Sequence, residues 1–235
     1  INIAIYPIVE LWGFPGRDYY VPKEAELEQL LPSTSLENII FNKSTSEITL
    51  KDNAKLDLGA IAKGYTSDKV IEILKNNGVT SAIISLGQNV QTLGRKPDGS
   101  LWTVGIKNPD TDNKKLSTDD IIGTLAVENK AVISSGNYER FFISDGQKYH
   151  HIIDPDTGYP ADTGLISVTI VSESGIVADA LSTALFVMGK DKALDYWDSH
   201  RNDFDVVFIE ENGNITITSG LQNTFNSKLP YSVAR

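Results

Sequence analysis

The chain of 235 residues carries 21 Lys and Arg against 31 Asp and Glu, a formal charge of -10, with 40% apolar and 22% charged residues. This acidic balance excludes nucleic acid as a partner, since no basic stripe exists to neutralise phosphates. A small anion held by a cation and one local lysine stays compatible with it. The absence of cysteine rules out disulfides, a thiolate nucleophile and a cysteine-rich zinc centre. No apolar run approaches the roughly 18–20 residues that cross a bilayer, and no signal peptide is visible. Because the sequence opens inside an apolar segment at Ile1, further residues are expected upstream, and any targeting signal with them.

Ile1 to Trp12 reads as an apolar, extended segment, followed by turn chemistry at Gly13 to Gly16. Pro22 to Leu31 predicts a short helix with Leu27, Leu30 and Leu31 inward. Ile39–Phe41 and Glu47–Leu50 predict a hairpin. Lys55 to Gly59 reads as a short strand feeding a helix from about Ala60 to Asn76, stopped at Gly78. Strands are expected at 81–87, 90–93 and 102–106, the last two joined by a hairpin loop at Lys96-Pro97-Asp98-Gly99. Further strands are expected at 121–127, 131–134, 138–144 and 165–171. Helices follow at 175–189 and about 191–199, then strands at 205–209 and 215–218 and a loose tail. With no repeat and no long linker, the pattern predicts one α+β domain of mixed, mostly antiparallel sheet with interleaved helices.

Two helices carry polar residues at informative places. In the helix from Gly175, with Ser174 as N-cap and Gly189 as stop, Val177, Leu181, Ala184, Leu185 and Met188 form the expected buried stripe. Asp179, Ser182 and Thr183 lie opposite. Asp179 and Thr183 are four apart, so their oxygens stack one above the other. Such a face is either solvated or a source of two hard oxygen ligands for a divalent cation. In the helix near Ala60, the apolar line of Val70, Ile71 and Leu74 projects back through Ser67 and Gly64 to Lys63. A lysine there either snorkels to water or aims its charge at an anion beside the helix's positive end.

Other signals are thinner. His150 and His151 are adjacent, so in a strand they point to opposite faces, and one of them could be a general base or a structural residue. No nucleophile elbow marks a Ser-His-Asp set, and Gly87-Gln88-Asn89 falls short of a dinucleotide fingerprint. Asp154-Pro155-Asp156-Thr157-Gly158 is a turn. Residue patterns alone lead to a cation plus phosphate and stop there.

Five stretches in order carry a resemblance: Pro7–Phe14, Leu56-Asp57-Leu58-Gly59-Ala60-Ile61-Ala62-Lys63-Gly64-Tyr65, Ser135–Arg140, His151–Pro160 and Ala178-Asp179-Ala180-Leu181-Ser182-Thr183. Together they resemble the ApbE family of flavin transferases across essentially the whole chain. The resemblance implies a magnesium-dependent enzyme that splits the pyrophosphate of FAD. It joins FMN to a threonine or serine of an acceptor redox-protein subunit and releases AMP. Some family members hydrolyse FAD to FMN and AMP, and a non-catalytic FAD-binding protein is the third alternative.

Residue by residue, the resemblance puts metal ligands at Asp179, Thr183 and the Ala60 carbonyl, with Ser182 where some members carry a further acidic ligand. FAD contacts fall on Asn2, Asp57, Lys63 and Ile153, and the base that deprotonates the acceptor hydroxyl on His151. Gly59 and Gly64 are expected to let backbone approach the ligand. The chain departs from the family at Asn2, commonly Asp, and at Gln88, commonly a second glycine. The family's region ahead of Ile1, which helps cover the flavin, is not in the sequence. The resemblance further implies an extracytoplasmic, lipid-anchored protein, with membrane contact only through an anchor this chain does not contain.

Overall fold

The computed structural model describes residues 1–109 and 120–235, and the chain divides into two compact units. The architecture is α+β, and among the described residues the strands pair antiparallel except for the pairing of residues 216–218 with 232–234.

The first unit comprises Ile1–Gly59 and Asn137–Asp162. It contains α1 (Tyr6–Leu11), α2 (Glu24–Leu30), the hairpin β1 (Ile39–Asn42) with β2 (Glu47–Leu50), and the hairpin β8 (Phe141–Ser144) with β9 (Gln147–His150). The extended reading of Ile1 to Trp12 is corrected by α1. Pro7 suits the first turn of a helix, and Ile8, Val9 and Trp12 share one face at helical spacing. Lys55 to Gly59 is likewise no strand and makes only a single bridge, Ile5 to Lys55. The strand expected from Tyr138 begins at Phe141. Leu27 is buried as expected, with Ile8, Val9, Trp12, Phe14 and Ile153, while Leu30 and Leu31 pack at the edge of that cluster. The core is aromatic: Trp12 meets Tyr149 at 5.2 Å between ring centroids, and its indole N–H donates to the Gly158 carbonyl at 2.8 Å. A buried indole needs such an acceptor, so the turn at residues 154–159 is held onto this core. Within that turn the Asp154 amide donates to the Tyr159 carbonyl and the Gly158 amide to the Asp154 carbonyl.

The second unit comprises Ala60–Gly136 and Thr163–Arg235. It opens with α3 (Ala62–Asn76), β3 (Ala82–Leu86), β4 (Asn89–Leu93), β5 (Trp102–Lys107), β6 (Ile121–Val127) and β7 (Ala131–Gly136). It continues with β10 (Leu165–Ser172), α4 (Gly175–Met188), α5 (Lys190–Asp198), β11 (Phe204–Glu210), β12 (Ile215–Thr218), β13 (Phe225–Asn226) and β14 (Ser232–Ala234). Among the described residues, one sheet runs in the order β14-β12-β11-β10-β7-β4-β3 and a smaller one β13-β6-β5. Val104, Ile106 and Leu125 of the smaller sheet are buried with Val207, Ile209 and Ile217 of the larger. Each such side chain contributes roughly 1.5–3 kcal/mol by leaving water. The 96–99 segment does turn, with the Gly99 amide donating to the Lys96 carbonyl. The strands on either side enter different sheets, however, so no hairpin forms there. Nor is the tail loose: β13 pairs with β6, and β14 runs parallel to β12.

The largest correction concerns α4. Its buried residues include Ala178, Asp179, Ser182, Leu185 and Phe186, whereas Val177 is 37% exposed and Leu181 half-buried. The polar face thus lies inward, because α4 packs on β7 and β10 and crosses α3. Val177 and Leu181 instead line a shallow depression with Tyr196, His200 and Phe204. A side chain's polarity sets the cost of burying it, but partners supplied by distant segments can offset that cost.

Candidate metal and phosphate site

Two glycines bring α3 and α4 into contact. A Cβ on Gly64 would lie 2.2 Å from the Gly175 carbonyl oxygen and 2.7 Å from Asp179 Cβ. A Cβ on Gly175 would lie 2.5 Å from Ser67 Oγ. Gly64 is therefore required by the crossing of the two helices. A side chain at Gly59 would meet only the Asp57 carboxylate, which already accepts from the Gly59 amide at 2.7 Å.

At this crossing each helix caps the other. The residue ahead of α3, Ile61, has no side chain to cap it, and Asp179 of α4 fills that role: its Oδ2 accepts from the Gly64 amide at 2.8 Å. In return Asp68 of α3 takes the amino end of α4. Its Oδ1 accepts from the Gly175 amide at 2.7 Å, and its Oδ2 from the Ile176 amide at 3.0 Å and from Ser174 Oγ at 3.1 Å. Gln91 Nε2 donates to the same Oδ1 at 2.8 Å. Burial pushes the Asp68 carboxyl up, but the bonds from Ile176, Gln91, Gly175 and Ser174 together outweigh it and hold the group below its ordinary range.

Asp179 is only 4% exposed, so the solvated-face reading of this helix does not hold. Its Oδ1 accepts from Asn89 Nδ2 at 2.9 Å, and Asn89 Oδ1 accepts from Lys63 Nζ at 3.0 Å. Lys63 is an exposed residue whose ammonium reaches back to this buried amide. Asn89 stands where it does because of the β3–β4 turn, in which Gly87 and Gln88 have φ of 55° and 76°. Positive φ at both central residues is the two-residue hairpin geometry, and it puts Gln88 in a region that favours the glycine common in the family.

A hydroxyl chain adjoins the carboxylate. Ser182 Oγ, fully buried, donates to the Asp179 carbonyl at 2.9 Å. Ser135 Oγ lies 2.8 Å from Ser182 Oγ and 3.1 Å from Thr183 Oγ1. Each hydroxyl has one proton, so the direction follows: Thr183 donates to Ser135, Ser135 to Ser182, and Ser182 to the carbonyl. Thr183, half-buried, spends its proton inward and keeps its lone pairs for another partner.

These donors fit a hard cation. Each Asp179 oxygen accepts one N–H bond and keeps a further lone pair, and the neighbouring groups offer only oxygen. Among the described residues no three His, Cys, Asp or Glu side chains cluster, so the protein's share would be one carboxylate with hydroxyl and carbonyl oxygens. Ala60 stands two residues before α3, whose Gly64 amide lies on Asp179.

The remaining sequence-derived positions lie in the first unit. Asn2 uses both ends of its amide, with Nδ2 donating to the Thr34 carbonyl at 2.9 Å and Oδ1 accepting from the Ala4 amide at 2.8 Å. The first of these bonds needs an amide, and the family's Asp could not make it. Asp57 holds the turn at Gly59, and Ile153 is buried in the aromatic core. The two histidines differ as their adjacency implies. His150 is buried, its Nε2 on the Ala161 carbonyl and its Nδ1 accepting from the Ile152 amide, and burial depresses its pKa. His151 is half-exposed, and its Nδ1 lies 3.1 Å from the Arg140 carbonyl. A carbonyl only accepts, so this bond puts a proton on Nδ1.

Sequence reasoning missed Asp68, Asn89 and Ser135. Asp68 carried a signal, since it shares the inward line of α3 with Gly64, Ser67 and Ile71 at helical spacing.

Comparison with known proteins places the chain. The model of the ApbE family matches residues 1–208. The chain is 38% identical over 219 residues to the FAD:protein FMN transferase of Klebsiella pneumoniae, covering 93% of this chain and 66% of that protein. It is 35% identical to the FAD:protein FMN transferase of Treponema pallidum, covering 82% of this chain and 56% of the relative. Among solved structures, the ApbE protein of Thermotoga maritima superposes with a TM-score of 0.84 at 36% identity, over 93% of this chain and 70% of that one. The apo form of the Pseudomonas stutzeri flavinyl transferase ApbE gives 0.80 at 29% identity, over 97% and 70%. The chain thus spans at most about two thirds of the length of these curated relatives.

Proposed function

Since the chain belongs to the ApbE family, we propose that it transfers FMN from FAD to a threonine or serine hydroxyl of an acceptor protein, releasing AMP, with magnesium as the resident cation. The observation that carries this reading is the all-oxygen face of Asp179 and Thr183 beside the Lys63 ammonium and the amino end of α3. Bound there, magnesium would supply Lewis-acid polarisation of the diphosphate and neutralise charge on the departing AMP.

The chain's own residues divide the remaining work. Asp179, Thr183 and the Ala60 carbonyl are the proposed ligands. Ser182, fully buried and donating to its own helix, acts through Ser135 to orient Thr183. Lys63 adds a positive charge for the diphosphate. A hydroxyl nucleophile is weak at neutral pH, and His151 Nε2 is the base assigned to take its proton. Asn2, Asp57 and Ile153 remain the proposed flavin-nucleotide contacts, Ile153 through its backbone. The acceptor is taken to be a redox-protein subunit outside the cytoplasm.

Incubation with FAD, Mg2+ and a candidate acceptor should give a flavinylated protein and AMP in equal amounts, read by mass spectrometry. AMP formed equally well without acceptor would replace the transferase by an FAD pyrophosphatase. FAD bound with no AMP would leave a binding protein.

A further inference from the structure

Asn89 joins two charged groups that the proposed function uses for different purposes. It is 2% exposed, and its amide can lie only one way round. The carbonyl faces Lys63, which has only donors, and the NH2 faces the Asp179 carboxylate, which has only acceptors. A reversed amide would set donor against donor and acceptor against acceptor. One neutral amide therefore stands between an ammonium and a carboxylate that would otherwise attract each other directly. A direct ion pair would occupy the carboxylate oxygen with a cationic donor and hold the ammonium away from an anion. The spacer keeps Asp179 oriented with lone pairs unspent and keeps Lys63 within reach, bound by a single replaceable bond. Asn89 is held for this by the β3–β4 turn.

Resting on the proposed magnesium and FAD chemistry, we infer that Asn89 is a positioning residue that keeps Lys63 and Asp179 from pairing. It thereby makes cation affinity and diphosphate affinity depend on one side chain. Neither Asn89 atom needs to touch the ligand.

The test measures binding rather than turnover. Mg2+ is titrated by calorimetry and FAD by flavin fluorescence into the wild type, Asn89→Ala, Lys63→Met and the double variant, with folding checked by thermal melting. Asn89→Ala should weaken Mg2+ by about 10–100-fold, the usual loss when the partner that orients a metal ligand is removed. For FAD, Asn89→Ala and Lys63→Met should combine to less than the product of their separate effects, because both act through one ammonium. Asn89→Asp sharpens the reading: its carboxylate should hold Lys63 and, with no N–H to offer Asp179, should weaken FAD and Mg2+ alike. A folded Asn89→Ala that binds Mg2+ and FAD like the wild type overturns the inference and leaves the function standing. A wild type that binds neither ligand overturns the function and the inference together.

Discussion

Asp68 and Asp179 stand in mirrored positions, each at the amino end of the other's helix, yet they are finished differently. Asp68 accepts four hydrogen bonds, from two amides, a serine and a glutamine. Asp179 accepts two, from the Gly64 amide and Asn89. A carboxylate has about four lone-pair sites, so the first is saturated and the second retains capacity. Saturation suits a structural clasp, and the retained capacity of the second suits the ligand role proposed for Asp179.

The comparison can be broken from either side. Asp179→Ala should reduce Mg2+-dependent AMP release from FAD to background, a loss of several kcal/mol in transition-state stabilisation. Activity retained in a folded variant would return Asp179 to a purely capping role. Gly64→Ala should destabilise by about 3 kcal/mol, since its methyl would meet backbone oxygen that cannot turn away. Urea denaturation measures this. Asp68→Ala should cost about 2 kcal/mol by leaving amide donors of α4 unsatisfied, and should spare Mg2+ affinity per folded molecule.

The Asp68 clasp also carries a pH dependence. Asp68 is depressed in the folded state, so its contribution is fully present above the unfolded value near 4 and is lost as pH falls through the lower folded value. Asp68→Asn should therefore show a flatter fall in stability below about pH 4 than the wild type, read from urea midpoints across that range. The smallest effect is expected at Ser135→Ala. It should cost about 1 kcal/mol of stability and weaken Mg2+ about tenfold by freeing the Thr183 hydroxyl.

Much of the fold was legible because hydrophobic period and turn residues act locally. The β1–β2 hairpin, α3, α4 and the strands of the large sheet other than β14 stand close to where patterns put them. The failures share a cause. Val177 and Leu181 were expected inward and Asp179 outward, because periodicity knows polarity but not which distant amide will satisfy a carboxylate. The tail looked loose because β13 and β14 are short and take their order from strands already in place. Of the site, Lys63, Asp179 and Thr183 could be singled out by helical spacing and family resemblance. Asn89 and Ser135 could not, since each acts only by touching residues tens of positions away.

The mutual capping of α3 and α4 also has a kinetic side. Its bonds join residues 107 and 115 positions apart, so they form only after most of the intervening chain has closed. Contacts of such long sequence separation come late, because loop closure entropy must be met before they can contribute. The α3–α4 crossing should therefore assemble late. A ligand that recognises only the assembled crossing would shift the folding equilibrium by mass action, raising the melting temperature in proportion to the logarithm of its concentration once it exceeds its dissociation constant.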